Sequence, residues 1–475
     1  MPESENPSAK PKEEFEFIEE VPVEREHKLG KLQYETVTGR LPVFTEYGEI
    51  EAQIFFVYYR LKSEKRRPLT FVFNGGPGSP AIWLHMGALG PKYVRINDDG
   101  TMPSPPYNAE ECPGSWLPFT DLVMIDPVGT GFSRGKNAEI DKKNWGVQGD
   151  IATMAEFVRL FLTRYERWDS PLFVAGESYG TTRAAGLSEK LLEKGVALNG
   201  LLLISSILAF QTCDFAMSNH LPYVLFLPTY TATAWYHGKI EGNLDELLLE
   251  AEEFAVGEYA AALMKGDAIE PEEEQRVAKR LSELTGLSER FLLLSKLQVY
   301  IMEFCKELMR DEGRTVGRLD TRFRGIEASG TAARMETDPS FTAIMAPFTG
   351  AFQKYLREEL GYKSDLYYKN LDGVRDWDWG AGRSGAPNLA ESLRSAMSRN
   401  VHLKVHIASG YYDLATPYFA TDWTISDMRL DPEVRGNISV SYYPSGHMMY
   451  IESGSLIKLR DEAKKFITES SGGGK

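Results

Sequence analysis

The chain is poor in the residues that hold metals, form disulfide staples or bind polyanions. Its 475 residues include three cysteines, Cys112, Cys213 and Cys305, scattered without metal-like spacing. So few thiols exclude a disulfide framework and predict a reducing compartment. Cations are outnumbered, 53 Lys and Arg against 68 Asp and Glu, for a formal charge of −15. That balance argues against nucleic acid or an anionic membrane surface as the main partner. No apolar run is long enough to span a bilayer, so no membrane span is predicted. Residues 1–20, rich in Glu, Pro and Lys, lack the apolar stretch of a signal peptide and read as a disordered acidic tail. A cytoplasmic protein is therefore expected as the sequence stands, with a periplasmic or secreted one as the alternative if a signal was removed before this numbering. No ligand cluster or dinucleotide motif is present, so neither a metal nor an organic cofactor is expected. Histidine is also scarce, with seven residues at positions 27, 85, 220, 237, 402, 406 and 447.

What remains is ordinary globular material, 43% apolar and 25% charged. The length allows one large domain with an insertion, or two or three smaller domains. Residues 31–72 are rich in β-branched and aromatic residues and predict successive antiparallel strands. Short apolar runs ending in glycine-rich or polar loops follow at 69–73, 122–125, 172–175 and 201–204. Such runs suit strands buried on both faces. Between two of them Ile151, Met154, Ala155, Val158, Phe161, Leu162 and Tyr165 recur at helical spacing. From about 211 to 376 the alternation of strand and helix stops, and 244–263, 272–284 and 287–309 read as helices. A helix at 388–398, strands at 401–408 and 438–443 and a helix at 455–468 close the chain. An α/β domain over 21–210 and 386–475, interrupted by a mainly helical cap over 211–385, accounts for this order.

The most specific stretch is Gly176-Glu177-Ser178-Tyr179-Gly180, set between an apolar run and a helical segment. A tight strand-to-helix turn of this kind lifts a serine hydroxyl clear of a sheet. A serine needs an aligned base, usually a histidine held by a carboxylate, and in α/β-hydrolases the order is Ser, Asp or Glu, His. Asp413 lies just past a late buried strand, and only His447 follows it. His402 and His406 precede the acid within a strand and suit packing. Asp422, Asp427 and Asp431 fall in a helix and the loop beyond it. Asn74-Gly75-Gly76-Pro77-Gly78 ends the first buried strand and could offer main-chain N–H groups to an oxyanion, with a second donor from Tyr179. A purely structural turn stays open; a Walker loop does not, because no Gly-Lys-Ser/Thr follows.

Together with Asp126-Pro127-Val128-Gly129-Thr130-Gly131-Phe132-Ser133, Gly410-Tyr411-Tyr412-Asp413 and Gly446-His447-Met448, these motifs resemble the serine carboxypeptidases. Residues 313–318 look like those of bacterial relatives. The resemblance implies an α/β-hydrolase fold with a mostly parallel central sheet, antiparallel N-terminal strands and a helical cap. It also implies release of single residues from peptide or protein C-termini. Ser178 would attack, His447 act as base then acid, and Asp413 orient it. Gly76 and Tyr179 would hold the oxyanion, while Asn74 and Glu177 would bind the substrate carboxylate. Glu177 can donate to a carboxylate only when protonated, which predicts better peptidase activity in acid. A packing role for Glu177 stays open.

The sequence departs from the family pattern in several places. Ala88 stands where many relatives carry Glu, so one partner of the carboxylate network is missing. Ser79-Pro80 replaces a Cys-Ser, no Gln separates Asp126 from Pro127, and Tyr411 replaces an acidic residue. An esterase or acyltransferase using the same triad, and a non-catalytic binding protein on this fold, are the alternatives. Trp83, Trp116 and Tyr223 could line side-chain pockets or serve the core.

Overall fold

The computed structural model describes residues 14–17, 20–63, 66–380 and 386–472. Most of the predicted acidic tail lies outside the described residues. Within it, the Phe15 N–H donates to the Lys136 carbonyl at 2.7 Å.

Nine strands follow one another across a ten-stranded sheet. Val23–Leu29, Leu32–Phe44 and Ile50–Leu61 pair antiparallel at one side. Ile50–Leu61 then pairs antiparallel with Asp121–Ile125. From there the sheet is parallel through Leu69–Phe73, Leu172–Ser178, Gly200–Ser206, Lys404–Gly410 and Ile438–Tyr443. Arg134–Gly135 adds a short piece beside Ile50–Leu61. The parallel strands are short and, Ile438–Tyr443 excepted, almost wholly buried, because helices cover both faces. Val147–Arg164, Tyr179–Glu193 and Ala390–Arg399 build the core on one face. Ser453–Ser470, the segment around Trp83 to Leu89, and Pro339–Glu358 build it on the other.

Chain order places the functional loops. The strand Leu69–Phe73 has Asp121–Ile125 on one side and Leu172–Ser178 on the other, a reversal that opens a crevice at the strand C-termini. Phe73 pairs with Gly176, so the turn at Asn74 meets the turn at Ser178. Gly410 pairs with Tyr443, so the loops bearing Asp413 and His447 leave the sheet side by side.

Residues 221–309 form a separate cluster of helices with its own core. Helical periodicity predicts one helix over 287–309, but the structure divides it into Glu289–Leu294 and Ile301–Glu307. Lys296 and Leu297 adopt positive φ between them, a conformation a helix cannot contain. A hairpin of Arg314–Val316 and Arg324–Ile326 also interrupts the region read as helical. The long helix Pro339–Glu358 buries Ile344, Phe348 and Phe352 against the sheet side of the molecule rather than in the cluster of 221–309. Among the described residues no helix is long and apolar enough to cross a membrane.

Candidate active site

Ser178 ends its strand with φ 58° and ψ −128° and caps the helix Tyr179–Glu193. A non-glycine residue here carries roughly 1–3 kcal/mol of strain, which the surrounding packing must impose. Gly180 lets the turn close: a Cβ there would stand 2.6 Å from the Phe73 carbonyl oxygen. Gly75 meets the elbow from the neighbouring strand, and its Cβ would fall 2.5 Å from the Tyr179 nitrogen. Neither site can take a side chain without separating the two turns. Tyr179 is the first residue of its helix, so its N–H has no carbonyl partner within that helix.

Asp413 and His447 meet across their paired strands. Asp413 is wholly buried, and its Oδ2 lies 2.7 Å from His447 Nδ1. The remaining acceptor positions are filled locally by the N–H groups of Ala415 and Thr416 and the Thr416 hydroxyl. Burial pulls the His447 pKa down, but the Asp413 charge and hydrogen bond outweigh it, and the imidazole ends above its ordinary value. Its backbone is tied at both ends: the N–H donates to Leu319 O at 2.6 Å, and the carbonyl accepts from Ser205 Oγ at 2.6 Å.

Gly75, Gly76, Glu177, Ser178, Tyr179 and His447 all line one cleft of about 260 Å³. Its other walls are mainly apolar, among them Trp83, Phe210, Phe341 and Met448. Trp83 thus faces the cleft, whereas Trp116 is fully buried in the core and Tyr223 lines a different depression. Asn74 stands behind the lining, fully buried. Its Oδ1 accepts from the Leu84 N–H at 3.0 Å, and its carbonyl accepts from Arg183 at 2.8 Å.

Glu177 is 3% exposed. Burial pushes its carboxyl up to about 7, against the opposing influence of His447 and a hydrogen bond from Tyr450. The Asn74 amide stands close enough to favour the ionised form a little, yet no bond of good geometry uses its Nδ2, which is buried without a partner. Tyr450 Oη donates to Glu177 Oε2 at 2.6 Å. Sequence reasoning missed this residue. Its ring lies against Gly87, beside Ala88, so closely that a Cβ on Gly87 would stand 2.4 Å from it. Gly87 makes room for a tyrosine that supplies Glu177 with a partner. The signal was split between two distant stretches, a glycine at 87 and a tyrosine at 450.

Three further groups have contacts that the sequence reading did not anticipate. Arg183 is buried between the Phe73 and Tyr179 rings, paired with Asp150 at 2.8 Å, and holds the Asn74 carbonyl. Asp126 accepts from the Ala81 N–H at 3.0 Å and so ties its own motif to the end of the glycine turn; burial raises its pKa to about 7. Asp320 accepts from the Gly446 N–H at 3.1 Å and pairs with Arg322.

Comparison with known proteins supplies a family likeness and a fold. A family model described as serine carboxypeptidase matches residues 31–265. A probable serine carboxypeptidase of Arthroderma benhamiae is 24% identical over 182 residues, 35% of this chain and 32% of that protein. Serine-type carboxypeptidase F of Aspergillus niger is 28% identical over 168 residues, covering 34% and 28%. The matched segments thus span about a third or less of these relatives' own length. In structure, a prohormone-processing carboxypeptidase from Saccharomyces cerevisiae superposes over 93% of this chain and 91% of its own, with TM-score 0.54 and 16% identity. That likeness carries the fold, an α/β-hydrolase. The family model over residues 31–265, the curated relatives and the ordered motifs all point to the serine carboxypeptidases as the family this chain is similar to.

Proposed function

We propose that the protein is a serine-type carboxypeptidase that releases single residues from peptide C-termini through an acyl-enzyme on Ser178. The observation that carries this reading is Glu177, a buried carboxyl with a pKa near 7 in the same cleft as Ser178 and His447. A protonated carboxyl can donate to a substrate carboxylate, and an ionised one would repel it. The unpartnered Nδ2 of Asn74 is a second donor behind the same wall.

With Nδ1 of His447 engaged by Asp413, Nε2 is the nitrogen left to take the Ser178 proton. Attack on the scissile carbonyl forms a tetrahedral oxyanion, held by the N–H groups of Gly76 and Tyr179. Collapse expels the C-terminal amino acid, whose amine receives the proton from His447. Water then attacks the acyl-enzyme with His447 again as base, which frees the shortened peptide.

An esterase or acyltransferase using the same three residues is the second reading; Asn74 and Glu177 favour the peptidase, while Ala88 leaves the ester reading open. A fluorophosphonate should label the protein stoichiometrically, and Ser178→Ala should abolish labelling; failure of the folded protein to label would sink both enzyme readings. Free-acid peptides should then be cleaved much faster than their C-terminal amides, and equal rates would leave only the ester reading. The same proposal includes a bacterial-type branch, supported by residues 313–318, and a cytoplasmic location, supported by three unpaired thiols. The relatives' names bear on neither, and cell fractionation tests the second.

A further inference from the structure

Among the described residues, most of the buried charge is paired. Arg167 with Asp121, Arg183 with Asp150, Lys306 with Glu327 and Arg322 with Asp320 all meet within 3 Å. Arg318 is different. It is half-buried and lines the cleft that holds Ser178, on a wall with Cys213, Leu319, Phe341 and Ala415. Among the described residues its guanidinium has neither a hydrogen bond nor an ion pair, and no other arginine or lysine lines the cleft. Its backbone is fixed, with its N–H donating to Asp338 Oδ1 at 3.2 Å and its carbonyl accepting from the Leu414 N–H at 3.0 Å. A planar cation held against apolar walls without a partner has lost water without gaining an anion, and a ligand carboxylate would supply one.

Its position separates it from the terminal-carboxylate end of the cleft. Glu177 is bonded to Tyr450 and backed by Asn74, whereas Arg318 is bonded to the loop that follows Asp413. The Arg318 charge is felt at His447 and Cys213, while the main influences on Glu177 are His447, Tyr450, Asp413 and Asn74. A peptide whose terminal carboxylate lies at Glu177 and whose scissile carbonyl lies at Ser178 continues past His447 with its acyl-side residue.

We propose that Arg318 is a specificity-determining residue that binds an acidic side chain, Asp or Glu, on the residue immediately before the scissile bond. The inference rests on the carboxypeptidase reading for the direction of the peptide, and its test is chosen to work without that reading. N-blocked p-nitrophenyl esters of Glu and Gln acylate Ser178 with no terminal carboxylate present. At pH 7 the wild-type protein should favour the Glu ester over the Gln ester by roughly tenfold in kcat/KM, the scale of one charge-assisted hydrogen bond. Arg318→Gln should bring that ratio close to one, and Arg318→Glu should shift preference toward a Lys ester. A wild-type ratio near one, or an unchanged ratio in Arg318→Gln, overturns the proposal, and the first comparison needs no variant to fold. Loss of discrimination between free-acid peptides and their amides in Arg318→Gln overturns it too, by placing the terminal carboxylate on Arg318. Equal cleavage of acid and amide by the wild type would instead refute the carboxypeptidase reading, with the ester ratio still deciding Arg318. Failure of both esters to acylate Ser178 overturns both.

Discussion

On the carboxypeptidase reading, substrate choice and pH dependence turn on Glu177 and its partner Tyr450. A folded-state pKa near 7, against an ordinary value of 4.5, means that burial favours the protonated carboxyl. Free-acid peptides should need that proton, so their kcat/KM should fall as pH rises through about 7. Esters without a terminal carboxylate should show no such fall and should only rise as His447 loses its proton. The Tyr450 hydroxyl donates to Glu177 and favours its ionised form. Tyr450→Phe should therefore move the alkaline limb upward, by about one pH unit for one charged hydrogen bond. Glu177→Gln should abolish the limb, leaving peptide and ester profiles parallel. Stability follows the same sign: an acid with a raised folded-state pKa lowers stability as pH climbs from 4.5 to about 7. Glu177→Gln removes that loss, worth roughly 3 kcal/mol at pH 8, and chemical denaturation at pH 5 and 8 checks it. An alkaline limb that stays put in both variants would show that Glu177 is not the titrating group. Ser178, Asp413 and His447 were legible because each stands in a short motif at a strand end. Tyr450 was not, because its partner lies 273 positions away and the space its ring occupies is left by a glycine, Gly87.

At the scale of elements, the strands that carry the site announce themselves by composition. Leu69–Phe73 and Leu172–Ser178 are short apolar runs closed by glycine or polar turns, and burial on both faces demands that pattern. Helices were harder to read where the local rule and the tertiary packing disagree. Pro228 lies inside Leu221–Tyr236 and Pro347 inside Pro339–Glu358, so a residue that normally ends a helix sits within two that run on. The buried arginine on the nucleophile helix was invisible for a different reason. Nothing in Arg183 distinguishes it from a surface residue until its helix is packed against Val147–Arg164, which brings Asp150. Removing one member of such a pair strands the other charge in the core. Arg183→Met should cost about 3–5 kcal/mol in urea unfolding, and the double variant with Asp150→Leu should recover much of it. The Asn74 carbonyl loses its donor in either case. Fluorophosphonate labelling should therefore stay slow in the double variant even where stability returns. Recovery of both together would make Arg183 a purely structural residue.

Across the whole molecule, the hold of residues 318–322 on the loops bearing Asp413 and His447 had no local signature in the sequence. The short run from Arg318 to Arg322 lies between the Asp413 and His447 loops and bonds to both. Leu414 donates to Arg318 O and Thr321 donates to Tyr412 O on the acid side; His447 donates to Leu319 O on the base side. Asp320 completes the clamp by accepting from the Gly446 N–H, and Arg322 reaches the Pro444 carbonyl and Ser445 Oγ. The partners lie about a hundred residues away along the chain, a separation no periodicity or motif spacing encodes. The run 318–322 thus helps to set the position of His447, and its first residue, Arg318, lines the cleft. Asp320→Ala should loosen the histidine loop without touching substrate, so kcat should drop about tenfold while KM changes little, the pattern of a lost alignment rather than a lost contact. Amide exchange at Gly446 should accelerate in the same variant, because its N–H loses its acceptor. Unchanged kcat with faster exchange at Gly446 would separate the clamp from catalysis and leave it a purely structural contact.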